Sequence, residues 1–208
     1  MVYTGAPQNI QSFYKFTDDC SNPEQFESWK PKIKAYREAL DKETLKEYRV
    51  DDVPKNLDSE VVNTVEYLNT TKALSDREKE ITNTSASELA TKIAKAEISS
   101  VEVLKAFAHR AVILQQFTNF AMEFFINEGI KRAQELDDYL AQNGRTVGPL
   151  HGLPISLKEQ IGYAGKITNG GWVGWLENIP EEDATTIKVL KKLGATFYVR
   201  TNQPQSLM

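Results

Sequence analysis

Two short polar triplets stand where strands run out in this 208-residue sequence, Lys158-Glu159-Gln160 and Arg200-Thr201-Asn202. In an open α/β sheet, ligands collect at the carboxyl ends of parallel strands, so both triplets are placed where chemistry would occur. Gly162, Gly165, Gly170, Gly171 and Gly174 lie between them, and a glycine-rich segment lets backbone approach a bound molecule closely. Topology alone singles out Lys158, against the plainer use of a surface lysine that caps a strand. Ser156 points to the same face two positions earlier, but nothing around it activates a hydroxyl. Glu159 points to the opposite face and does not pair with Lys158.

The remaining polar and aromatic candidates have structural uses. His109, between Ala108 and Arg110, reads as a structural or exposed helix residue, and His151, in the Gly-Pro-Leu-His-Gly turn, as a brace. These are the only histidines, they lie far apart, and no Cys/His cluster has ligand spacing, so neither a metal nor another cofactor is expected. The single cysteine, Cys20, follows Asp18 and Asp19, whose charges disfavour a thiolate. Trp172 and Trp175 flank the glycine segment and either line a pocket or pack in the core. Lys188, Lys191 and Lys192 fit the solvated face and C-terminal end of a helix.

The elements that position Lys158 follow from periodicity. Leu153, Ile155 and Leu157 alternate with Pro154, Ser156 and Lys158, the period-2 pattern of a strand. Asp183 is placed to cap a helix carrying Ala184, Ile187, Leu190 and Leu193, closed by Gly194. Thr196 to Val199 is the next strand, stopped by Thr201-Asn-Gln-Pro204. Strand, helix, strand predicts a βαβ unit with parallel strands and a right-handed crossover, both strands apolar enough for cover on two faces. No third strand is expected, so open edges and self-association are.

Upstream the texture is helical. Ser85-Ala-Ser-Glu88 and Ser99-Ser-Val-Glu102 have capping-box spacing. The second leads a helix with Val103, Leu104, Phe107, Ala111 and Leu114 as its stripe, and another runs from Asn127 to Gln142, ended by Asn143-Gly144. Nearer the start, Pro23 and Pro31 both sit where helices begin, and Ile33, Tyr36, Ala39 and Leu40 repeat at helical spacing to about Glu47. Asp58 is placed to cap a helix carrying Val61, Val62, Val65 and Leu68. Residues 1–75 therefore form a helical extension, either a cover on a larger body or a helical domain of its own.

Composition excludes several classes. The chain is 40% hydrophobic and 26% charged with a formal net charge of -4, so general attraction to nucleic acid or anionic membrane is not expected. The apolar stretches near Ala106–Leu114 and Phe120–Ile126 are short and interrupted by charge, so no membrane-spanning segment is expected. The first residues carry neither a basic start nor an apolar stretch, and one cysteine suits a reducing compartment, so a cytoplasmic location is expected.

The run Gly148-Pro-Leu-His-Gly-Leu-Pro-Ile-Ser-Leu-Lys158-Glu-Gln resembles the lysine motif of the amidase-signature family. The likeness continues through Asp183-Ala-Thr-Thr-Ile-Lys-Val-Leu-Lys-Lys-Leu-Gly-Ala195 and Thr201-Asn-Gln-Pro-Gln-Ser-Leu-Met208. Arg77-Glu-Lys-Glu-Ile81, Ala106-Phe-Ala-His-Arg110 and Gln116-Phe-Thr-Asn119 look like the helical lead-in of fungal acetamidase-type members. The resemblance covers about the last 130 residues. It implies an α/β fold in which N-terminal helices lead into a mixed, largely parallel sheet covered by helices. Residues 76–208 would be the first part of that domain and incomplete.

The resemblance also implies a reaction: hydrolysis of the carbon–nitrogen bond of a small-molecule amide by a serine nucleophile, a bridging serine and a lysine. Lys158 matches the lysine, while Asn202 and Met208 fall on the substrate side by their places in the motif. A serine hydroxyl is a poor nucleophile until a base takes its proton, and a lysine does so only when neutral. The family's glycine/serine-rich stretch, which supplies both serines and the oxyanion hole, does not occur among these residues, and Ser206 is not its nucleophile. Two rivals stand beside an amidase: a catalytically inert remnant or partner-binding fragment, and the glutamine-amidotransferase subunit acting on charged tRNA. The lead-in and Ser156-Leu-Lys-Glu-Gln160 favour the amidase branch over the last. Residues 1–208 alone are expected to release no ammonia from acetamide or a long-chain amide above a Lys158→Ala control. Turnover above that control would defeat the expectation.

Overall fold

The structure is a computed structural model and describes residues 22–42, 44–53 and 63–204. Helix α1 (Pro23–Lys42) starts with a proline where no N–H is needed, and the Asn22 side chain accepts from Gln25 N at 3.1 Å. The sequence allows a helix start at each proline and runs the amphipathic helix from Pro31 to about Glu47. In the structure Pro31 lies inside the helix, which stops at Lys42 and gives way to a 3-10 turn (Lys46–Tyr48). Arg49 reaches back to Asp41 at 2.5 Å, and Leu45 and Tyr48 pack against the main core, so tertiary contacts bend the chain before the periodicity ends.

Helix α2 (Thr64–Thr70) is capped by Asn63, whose side chain accepts from Glu66 N, and not by Asp58, which lies outside the described residues with Val61 and Val62. Helix α3 (Asp76–Asn83) carries a full capping box between Ser75 and Glu78. Helices α4 (Ala86–Ala94) and α5 (Ser100–Thr118) start on Ser85 and Ser99, where the spacing puts them. α5 is buried on more than one face: Val103, Leu104, Ala106, Ala108, Ala111, Val112 and Ile113 are all buried. Gln116 on α5 also holds both backbone groups of Val50, at 2.9 and 2.8 Å.

After α5 comes strand β1 (Ala121–Phe124), then helix α6 (Ile126–Asn143), strand β2 (Pro154–Lys158), a 3-10 turn (Val173–Trp175), helix α7 (Thr185–Lys192) and strand β3 (Thr196–Thr201). β2 and β3 are parallel, as the βαβ reading requires, and the sheet order is β1-β3-β2. β1 is a strand the sequence reading lacks. It pairs antiparallel with β3, making the sheet mixed. Its four residues, with Glu123 among them, are too few to show alternation, and its partner lies about 80 positions away by the register Ala121↔Thr201. β3 is buried over five of its six residues, whereas Ser156 and Lys158 on β2 are exposed. The expected cover on both faces therefore holds for the central strand and fails for β2, which pairs on one side only among the described residues.

A second correction concerns α7. Asp183 does not cap it; the N-cap is Ala184, without a side-chain bond. The Asp183 carboxylate accepts from Ala164 N at 3.0 Å and pairs with Lys191 at 2.7 Å, tying the glycine segment to the helix. Burial pushes its carboxyl up, but Lys191 and Ala164 together hold it below the usual range.

The core sits where α5 and α6 pack on the sheet, around Leu104, Val112, Ile126, Ala133 and Val199. A further cluster joins Phe125, Leu157, Tyr163, Ile187 and Phe197. α6 approaches β3 so closely that a Cβ on Gly129 would lie 2.5 Å from Phe197 O and 3.1 Å from Leu104 Cδ2. Alanine is the better helix former by about 1 kcal/mol, yet overpacking here costs about 1–3 kcal/mol. Gly129→Ala is therefore expected to lower the melting temperature. A raised melting temperature would show that α6 stands off β3.

Candidate active site

The register brings the two polar triplets together. Lys158 and Thr201 are Cα partners on β2 and β3, and Glu159 N donates to Thr201 O at 3.2 Å. Strand alternation then sends successive side chains to opposite sides. Lys158 is exposed, and among the described residues its amine has no hydrogen-bond or ion-pair partner. Glu159 is fully buried. Its carboxylate accepts from Asn169 N at 2.5 Å, Gly170 N at 3.1 Å and Gln203 Nε2 at 3.0 Å. The sequence showed its direction but not these donors, which come from segments 10 to 44 positions away.

Arg200, also without exposed surface, lies beside it. Its Nε donates to Glu123 Oε1 at 2.6 Å, Nη1 to Glu159 O at 3.3 Å and Thr168 Oγ1 at 3.4 Å, and Nη2 to Ile167 O at 2.5 Å. One guanidinium thus links β1, the end of β2 and the glycine segment to β3. Tyr36 reaches this cluster from α1, accepting from Asn169 Nδ2 at 3.5 Å. Burial, with the negative charge of Glu123, pushes its hydroxyl up to about 12.

The other sequence candidates separate. Asn202 donates its side-chain amide to Asn119 O at 2.5 Å and its backbone N–H to Phe120 O at 2.8 Å, fastening the entry to β1. It also lines a cavity of about 1010 Å³ beneath α1, with Tyr36, Met122, Phe124 and Trp172. Lys158 is not on that cavity's wall. Met208, Ser206 and Cys20 lie outside the described residues. Trp172 and Trp175 are exposed, so the core reading of these rings does not hold.

His109 stacks on Tyr48 and has Nδ1 2.7 Å from Glu78. His151 is buried, accepts from Val147 N at 3.1 Å, and burial holds its imidazole below the usual range. No cluster of three or more metal-ligating side chains occurs among the described residues, nor is any helix there long and apolar enough to cross a membrane.

The family model described as Amidase matches residues 102–208. An acetamidase of Emericella nidulans is 50% identical over 135 residues, covering 65% of this chain and 25% of that protein. An acetamidase of Aspergillus oryzae is 37% identical over 181 residues, 87% of this chain and 32% of that protein. Among solved structures, a fatty acid amide hydrolase superposes with a TM-score of 0.83 at 47% identity, over 99% of this chain and 34% of that one. A peptide amidase from Stenotrophomonas maltophilia has a TM-score of 0.54 at 27% identity, over 59% of this chain and 25% of that one. The chain belongs to the amidase family and has part of the amidase-signature fold. It spans about a quarter to a third of the length of the curated relatives named here.

Breaking a buried ion pair from one side leaves the other charge uncompensated, at about 3–5 kcal/mol. Arg200→Leu is expected to cost that much in a urea titration. A loss under about 1 kcal/mol would mean that Arg200 is not what holds β1 and the glycine segment.

Proposed function

We propose that this chain belongs to a hydrolase of linear carboxamides in which Lys158 is the base. The observation that carries the reading is the position of its amine. It is exposed and unpartnered among the described residues, at the carboxyl end of a parallel strand, within the segment that matches the amidase family. In this reading Lys158 receives the proton of a nucleophilic serine through a bridging serine. Both serines come from residues beyond these 208, and acyl transfer then proceeds through an acyl-enzyme. The names of the relatives, acetamidase and fatty acid amide hydrolase, support amides of small or lipophilic acyl groups as the substrate class. In this reading Asn202 and Met208 are assigned to the substrate side on their positions in the family motif, and the single cysteine supports a cytoplasmic location.

A second reading applies to the 208 residues by themselves: an inert or partner-binding piece. Their span of a quarter to a third of the relatives favours it. The two readings are compatible, since one concerns the parent enzyme and the other this portion.

In an active chain that begins with these residues and continues through an amidase domain, Lys158→Ala is expected to lower kcat by about a thousandfold or more. Lys158→Arg should be nearly as damaging, because a guanidinium stays protonated. Amide release followed as ammonia measures both, and a near-normal rate in Lys158→Ala would reduce the lysine to a strand cap.

A further inference from the structure

We infer that Glu159 is a positioning residue, whose buried carboxylate fixes the glycine segment and the chain after β3 at the end of the strand that carries Lys158; this rests on the reading of Lys158 as the base. Glu159 is the next residue after Lys158, so its anchorage and the lysine's share one stretch of backbone. Its two oxygens receive three donors from two segments: Asn169 N and Gly170 N from the glycine segment, and Gln203 Nε2 from the residues following β3.

The glycine segment is shaped to be held in this way. Gly170 and Gly171 have φ of +61° and +80°, a conformation natural to glycine. Successive N–H groups in such a turn converge into a concavity that accepts an anion. Here the protein's own carboxylate fills it. The third N–H, of Gly171, goes to Asn169 Oδ1 at 2.8 Å, closing the turn on itself. Arg200 supports the same segment from the other side through Ile167 O and Thr168 Oγ1, and its charge goes to Glu123 and not to the Glu159 carboxylate. Glu159 thus accepts from two backbone donors and one side-chain donor, one residue from the proposed base.

A purely structural buried acid would affect stability and leave the catalytic parameters in proportion. A positioning residue lowers kcat while substrate binding persists, because displacement of reacting groups by about 1 Å costs on the order of a hundredfold. Glu159→Gln keeps the size and replaces one acceptor oxygen by a donor, so at least one of the three donors loses its partner.

The test has two parts. In the 208-residue chain, hydrogen exchange at Asn169 and Gly170 is expected to quicken about tenfold or more in Glu159→Gln, relative to amides of α5. In the active, longer chain, kcat is expected to fall about ten- to a hundredfold, with KM within about threefold of the parent. Should Glu159→Gln fail to fold, Gln203→Ala removes a single donor and is expected to lower kcat several-fold at unchanged KM. Parent-like kcat in the folded Glu159→Gln or Gln203→Ala enzyme, alongside an inactive Lys158→Ala, would overturn the inference and leave the role of Lys158 standing. If Lys158→Ala keeps its activity, the base reading falls on its own. Unchanged exchange at Asn169 and Gly170 then overturns the claim for Glu159 separately.

Discussion

Taking a guanidinium out of water costs several kcal/mol unless its donors are met, and Arg200, with no exposed surface, engages four of its five N–H donors in hydrogen bonds. Together the bonds tie β1, the end of β2 and the glycine segment to β3, beside the backbone pairing and carboxylate contacts that also hold them. Glu123 brings β1 to the edge of β3 and makes the sheet mixed. The carbonyl of Glu159 fixes the end of β2, while Ile167 and Thr168 bring down the glycine segment. The apolar clusters supply most of the driving force for burial, but they are non-directional. The guanidinium fork, with donors in a fixed plane, sets direction.

The carboxyl end of the sheet consequently has two sides with different work. Alternation on β2 turns Lys158 outward and Glu159 inward. The inward side is a hydrogen-bonded network that links Glu159, Arg200, Glu123, Asn169 and Tyr36. The outward side presents an amine that the described residues leave unmatched. A period of two residues in one strand is enough to set the exposed amine and the buried carboxylate on opposite sides.

Much of this was legible before the fold was known, where the signal is local. Ser85, Ser99 and Gly144 stand at helix ends as their spacing implies, because capping is decided within four residues. The parallel pair β2 and β3 followed from strand, helix, strand. Errors fell where a local preference competed with a distant partner. Asp183 has the composition of a cap, yet Lys191 and Ala164 claim its carboxylate. Pro31 resembles a helix start, yet α1 runs through it.

Residue types and short spacings, then, determined the starts of α4 and α5, the end of α6, the two parallel strands and the lysine at the end of one of them. Tertiary structure alone decided that a four-residue segment with a glutamate in it would be a strand, and that Glu159 would be buried under three donors. It also separated Asn202 and its cavity from Lys158. The physical reason is the range of the interactions. A cap or an alternation is satisfied by neighbours in sequence, whereas a buried charge is satisfied by whichever donors or counter-charges the fold brings within about 3 Å, and sequence order does not specify those.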